Sequence, residues 1–407
     1  MSSLSPAVSG SLLGHRPLVF YVVSRGLAEC ACQMAVVAVG WQIYALTGSA
    51  FDLGVVGLVQ FAPTALLTFV AGHAADRYDR RRIVGICLIV EGLMAAGLAW
   101  GGFAGWLTTP EIYAAVLVFG AATAFESPAA AAVLPAVAPD GAVQTATALA
   151  TGTMQAAMVS GPALGGLAQA ISSGAPYAVM AVFWLAAALL NGAMKLERSA
   201  IAEERPTLRA AFAGVRFVRD HPAILGTISL DLFAVLLGGA TALLPIYARD
   251  ILHVGPWGLG ALRCAPAVGA LLATIALAHH PINRRVGMRM FQSVIAFGLA
   301  TTAFALSPWV GVSLIALVVM GAVDAVSMVI RISLVQLATP DDMRGRVGAV
   351  NFLFVNASSQ LGEFESGVMA ALVGAAPAAL LGGIATVAVA LLWMKGFPDL
   401  RNVDRLE

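Results

Sequence analysis

Twelve apolar runs, separated by short polar breaks, constrain this chain more than any other feature of its sequence. They fall near residues 18–46, 52–73, 83–104, 111–137, 143–171 and 174–194, then 223–247, 257–278, 287–306, 309–337, 346–373 and 376–395. About 20 apolar residues in a helix cross the hydrocarbon of a bilayer, so every run is a candidate span. Composition agrees: 59% of the 407 residues are hydrophobic, 11% are charged, and the mean hydropathy is +0.87. A soluble domain carries roughly a quarter charged residues. Inside lipid every backbone polar group needs an internal partner, which helices supply. The expected fold class is all-α integral membrane: twelve transmembrane helices in two pseudo-symmetric six-helix bundles.

The longest polar stretch, KLERSAIAEERPTLRAAFAGVRFVRDH, lies between the sixth and seventh runs. It divides the chain into residues 1–194, a linker at 195–221 and residues 222–407. Leu208, Phe212, Val215, Phe217 and Val218 make the end of the linker amphipathic, which suits a segment lying on the membrane surface. With the N-terminus inside, 19 of the 23 basic residues fall in cytoplasmic segments. Arg25, Arg263 and Arg331 lie within spans, leaving only Arg249 outside. This asymmetry predicts a multi-pass plasma-membrane protein with both termini cytoplasmic. The polar N-terminal segment lacks the basic and small-residue features of a cleavable signal peptide.

Other classes of function find no support. A formal net charge of +1, without an aromatic-interleaved basic patch, argues against nucleic acid. Cys30, Cys32, Cys87 and Cys264 sit in apolar runs without metal or redox spacing. No HExxH, metal-spaced carboxylate cluster or phosphate-binding loop occurs, so neither an enzyme, a metal, a cofactor nor ATP is expected. Trp41, Tyr44, Trp106, Trp257, Trp309 and Trp393 fall near span ends, where interfacial aromatics belong.

The loop after the second run reads Gly72-His73-Ala74-Ala75-Asp76-Arg77-Tyr78-Asp79-Arg80-Arg81-Arg82. Gly72 would allow close helix approach, Asp76 would cap a helix or pair with an arginine, and the arginines would hold the loop at an anionic leaflet. This loop resembles the major facilitator superfamily signature G-x-x-x-D-R-x-x-R-[RK], with Gly72, Asp76, Arg77, Arg80 and Arg81 in its positions. The matching loop of the second half, HHPINRRVGMRM from His279, keeps arginines and lacks the Gly/Asp pair. Gly161, Pro162, Gly165 and Gly166 in the fifth run resemble the GPxxGG core of the family's antiporter motif. Phe125–Pro128 with Leu134-Pro135, Arg344–Val347 and Gly362–Phe364 resemble the enterobactin-exporter and macrolide-efflux branch. Val116, four residues before Gly120, replaces the fourth-span arginine of many drug/proton antiporters, which excludes coupling through that residue. The resemblance implies a monomeric secondary transporter with a small-molecule substrate, a proton as coupling ion and lipid around it.

Ionisable side chains inside spans are costly unless paired or wet, and so mark functional positions. They are Arg25, Glu29, Glu91, Glu126, Asp231, Arg263, Asp324, Arg331, Glu363 and Glu365. Six of the ten fall in spans one, four, seven and ten, the helices that line the central cavity in the superfamily fold. Arg25 and Glu29 are i,i+4 and predict mutual neutralisation, with Gln33 extending their stripe. Matching depth predicts an Asp231–Arg331 pair. Glu126, just before Pro128, is suited to capping broken backbone. Glu29, Asp231 and Asp324 are the proton-coupling candidates; Arg25, Gln33, Glu126 and Arg331 are the cavity candidates. The function these features support is proton-antiport export of a small amphipathic organic molecule, siderophore- or drug-like, by alternating access. The alternatives are lysophospholipid or lipid flipping and uptake of a small organic anion.

Overall fold

Every expected span is helical in the computed structural model. It describes residues 14–139, 141–194, 215–282 and 284–404 and, within them, all side chains except those at 68, 69, 73, 75, 76, 341, 342, 349, 352 and 353. The helices are α1 Arg16–Thr47, α2 Ala50–Arg77, α3 Arg80–Ala104, α4 Thr109–Val137, α5 Val143–Ile171 and α6 Ala175–Ala193, then α7 Pro222–Leu237, α8 Gly255–His279, α9 Val286–Leu306, α10 Val310–Leu337, α11 Asp341–Val373, α12 Ala375–Gly396 and a short α13 Pro398–Arg401. No strand occurs among the described residues. Caps written in the sequence end some helices cleanly. Asp79 accepts from the Arg81 amide at 3.0 Å to start α3, Gly105 closes α3 with φ 77°, and Thr108 with Glu111 forms a capping box at α4.

The structure adds to the sequence reading in three places. The seventh run is not one helix. After Leu237 the Gly238–Gly239 pair breaks α7, and the chain continues through a 3₁₀ turn Ala240–Leu243, a short α turn Leu244–Ile246 and a π turn Tyr247–Ile251. A Cβ on Gly239 would stand 2.6 Å from the Gly362 carbonyl oxygen of α11, so the break lets two backbones meet. Thr386 Oγ1 of α12 donates to the carbonyl of Ala234 beside it, at 3.3 Å. Secondly, ten helices among the described residues meet the length and apolarity of a membrane span by composition alone, and α5 and α11 have the length with a more polar composition. They occupy the same position in the two sets of six. Finally, residues 195–214 of the linker lie outside the described residues, and its helical end turns Val218 inward. Val218 is buried with Ile224, Ile228, Val335 and Val347, while Val215 of the same segment is exposed.

By backbone packing the chain forms two compact units. One comprises residues 1–42 and 62–205, the other 43–61 and 206–407. The end of α1 and the start of α2, expected with the first six helices, therefore cluster with the second six. Within the first unit α3 packs along α6 and α4, and Gly161 and Gly165 bring α5 onto α1. A Cβ on Gly161 would lie 2.6 Å from Gln33 Cβ, and one on Gly165 3.1 Å from Met34 Cα. Within the second unit α8 meets α10, α9 meets α10 and α12, and α7 meets α11 and α12. Gly269 and Gly321 let the backbones of α8 and α10 touch, since a Cβ on either would come within about 2 Å of a facing carbonyl. Gly54 of α2 and Gly367 of α11 make the same kind of approach. Small residues at such contacts are what membrane helices use to pack, because lipid gives them no hydrophobic drive to associate.

Candidate functional site

Among the described residues, each unit holds one buried ion pair between its spans. In the first unit the guanidinium of Arg25 on α1 reaches α4 and pairs with Glu126. The expected Arg25–Glu29 neutralisation does not occur. Instead Gln33 Nε2 donates to Glu29 Oε1 at 2.8 Å. Arg preceding Glu along the chain is the weaker i,i+4 order, and the carboxylate on α4 wins the guanidinium. Glu126 correspondingly is a counter-ion and not a backbone cap. Tyr21 OH, one turn before Arg25, donates to the Ala130 carbonyl at 3.0 Å and fixes α1 against α4.

In the second unit Arg331 Nη1 of α10 lies 2.7 Å from Asp231 Oδ2 of α7, the pairing that equal depth predicts. These side chains are 6% and 7% exposed, against 16% and 10% for Arg25 and Glu126. Asp231 and Asp324 line one cavity together with Ser293, Phe297 and Ser327. Its volume of about 10 Å³ suits one water molecule. Ser327 Oγ and Arg331 Nε are buried without a hydrogen-bond partner. Glu363 of α11 is within electrostatic reach of Arg263 on α8. These two lie away from the Asp231 cavity lining.

The loop motif divides into positions with contacts and positions without. Arg81 donates to the carbonyls of Met194 and Gly192, the latter at 2.8 Å, and Asn191 Nδ2 returns a bond to the Arg81 carbonyl at 2.8 Å. The motif thus ties the start of α3 to the end of α6. Arg77 is exposed, and the side chain of Asp76 is outside the described ones. Among the described residues no atom lies within 4 Å of the place a Cβ on Gly72 would take. The capping acid is Asp79, which stands directly before the first residue of α3 and carries an ordinary N-cap signature. The second-half loop, which has no acid of its own, receives one from afar. Asp404 Oδ1 accepts from the Arg285 amide at 3.1 Å, and Gly287 donates to the Val403 carbonyl at 3.0 Å.

Of the GPxxGG residues, Gly161 and Gly165 contact α1 around Cys30, Gln33 and Met34, while Pro162 and Gly166 are buried in α5. Gln33 is therefore held between a carboxylate on its own helix and a glycine on the next. Tyr44 and Trp393, expected in the interfacial belt, have other partners. Tyr44 OH bonds Asp250, with Arg249 Nη1 donating to the Tyr44 carbonyl at 3.1 Å; Trp393 Nε1 donates to Ser229 Oγ at 2.9 Å. Trp106, Trp257 and Trp309 are exposed. Sequence spacing gave no hint of the Tyr44–Asp250 contact, because its partners are 206 residues apart.

Known proteins match this arrangement over nearly its whole length. The chain is 27% identical to the multidrug efflux pump Tap of Mycobacterium tuberculosis over 406 residues, covering 95% of each chain. It is 26% identical to the enterobactin exporter EntS of Citrobacter koseri, over 96% of this chain and 94% of that one. The crystal structure of the nucleoside transporter NupG superposes with a TM-score of 0.73 at 15% identity, covering 94% of this chain and 99% of that one, a likeness of fold. The sequence profile of the Major Facilitator Superfamily matches residues 22–363, and this membrane-spanning chain belongs to that superfamily of transporters.

Proposed function

We propose that this protein is a secondary active exporter of a small amphipathic organic molecule, driven by proton antiport through alternating access. It would sit in the bacterial inner membrane as a monomer, with both termini cytoplasmic. The two full-length relatives bear the names of exporters, one of drugs and one of a siderophore. The basic-residue asymmetry supports the orientation. The observation that carries the coupling is the excess of acid over base beside each buried pair: Glu29 next to Arg25–Glu126, and Asp324 next to Asp231–Arg331. A carboxyl without a committed cation takes and returns a proton more readily than one locked in a pair. Glu29 and Asp324 are the proton carriers in this reading, joined by Asp231 when Arg331 moves away from it as the cavity opens. Arg25, Gln33, Glu126 and Arg331 line the substrate path, and Gly72, Asp76, Arg77, Arg80 and Arg81 form the cytoplasmic gate. Gly161, Pro162, Gly165 and Gly166 provide the α1–α5 contact over which the first unit moves.

Proteoliposomes loaded with ethidium or with enterobactin, under an imposed pH gradient, test the proposal. Gradient-dependent movement of either probe, lost in Asp324→Asn and in Asp231→Asn, is the expected result. If both variants moved the probe as the parent does, the acid assignment would be wrong; if a gradient drove no movement of either probe, antiport would be wrong.

A further inference from the structure

Glu91 of α3 takes part in none of these pairs. It is 3% exposed, its Oε2 has no hydrogen-bond partner, and it is the only acid on its helix. The groups facing it are few. Arg25 and Cys32 approach from α1, Glu126 from α4 and Cys87 from α3 itself. The other helix packed along α3, α6, carries no charged residue. Among the described residues Arg25 is therefore the only cation in reach, and Glu126 already holds it. A carboxylate at Glu91 would add a buried negative charge with nothing to compensate it, whereas the carboxylic acid costs far less.

We propose that Glu91 and Glu126 form a two-site proton relay in the first unit, with Arg25 as the arbiter. While Arg25 is bonded to Glu126, Glu91 keeps its proton. When the guanidinium turns to Glu91, that O–H bond breaks, an O–H bond forms on Glu126, and the charge of the cluster stays constant. The proton thereby moves outward, from a side chain on α3 sealed in the packing to one on α4 that is 10% exposed. The relay's part in transport rests on the antiport reading above; the location of the proton does not.

Infrared difference spectroscopy of the full-length protein in lipid nanodiscs, with neither substrate nor gradient, reads protonated carboxyls directly. The expected result at neutral pH is that E91Q removes one protonated-carboxyl band while leaving the thermal unfolding midpoint close to that of the parent. E126Q should remove the same band, because Arg25 is freed to ionise Glu91. Arg25→Gln should instead gain one band, as both acids then keep their protons. An unchanged spectrum in E91Q would show that Glu91 is charged and overturn the proposal; if E91Q failed to fold, loss of the band in E126Q would uphold it and retention of the band would overturn it. A band lost in E91Q and kept in E126Q would show a stored proton that is not exchanged, which overturns the relay. Should E126Q fail to fold, Arg25→Gln decides: an unchanged band count there rejects the arbiter role. Failure of gradient-driven transport leaves these spectra as they are, so the two readings stand or fall separately.

Discussion

In the first unit the cation of the buried pair is on α1 and its acid on α4; in the second the acid is on α7 and the cation on α10. These are the first and fourth helices of each set of six. The partners are 101 residues apart in the first case, and residues 231 and 331 are 100 apart in the second. Position and spacing are repeated, but the sign is reversed. The loops show the same relation. In the first, the Arg81 side chain gives hydrogen bonds to carbonyls at the end of α6; in the second, a backbone amide at the start of α9 gives one to the Asp404 carboxylate, beyond α12. The architecture evidently needs a tie at each of these places and is indifferent to which strand of it carries the charge. What the reversal leaves behind does differ. Glu29 and Glu91 remain near the pair in the first unit, and Asp324 alone in the second.

The strongest way to break the comparison is to remove one cation at a time. Arg331→Met strands Asp231 in a site that is almost sealed and should cost roughly 3–5 kcal/mol. Arg25→Met, in a more open site, should cost about 1–3 kcal/mol. Thermal unfolding in one detergent measures both, and equal losses would mean that exposure does not separate the two pairs. Next come the glycine contacts. Gly161→Val on α5 and Gly362→Val on α11 each press a side chain into the first helix of their unit, for about 1–3 kcal/mol apiece, whereas Gly72→Ala should change stability little. Reversing the first pair (Arg25→Glu with Glu126→Arg) gives it the polarity of the second, and the double variant should recover about 1–2 kcal/mol relative to the sum of the single changes. The smallest effects belong to the caps. Asp79→Ala should cost about 1 kcal/mol. Asp404→Ala should leave the melting point almost unchanged yet speed amide exchange at Arg285.

Much of this was legible in the chain itself. Apolar runs place the helices because lipid forbids other backbone solutions, and equal depth is enough to pair Asp231 with Arg331. The failures share a cause. Arg25 chose Glu126 over Glu29, and Tyr44 gained Asp250 as a partner, because a partner on another helix leaves no mark on local spacing. Glu91 could be read from the sequence as an intramembrane acid, but not as one without a partner, since that depends on which neighbour already holds Arg25. The break in α7 was visible as Gly238-Gly239 and hidden by the hydropathy around it. Motif matching drew attention to Asp76 and passed over Asp79, whose place directly before α3 already marked it as the N-cap.

The 101 residues between Arg25 and Glu126 have a consequence for biogenesis. The first helix must enter the membrane with its guanidinium unmatched, and three more helices must be made before the counter-ion arrives. Asp231 faces the same delay in waiting for Arg331. A half whose charge is met only by its fourth helix is expected to leave the insertion machinery in blocks of at least four helices, with Glu29 the sole acid on α1 to face Arg25 before then. Ribosome-bound chains ending near residue 110 should cross-link to that machinery, and chains ending beyond residue 170 should have left it.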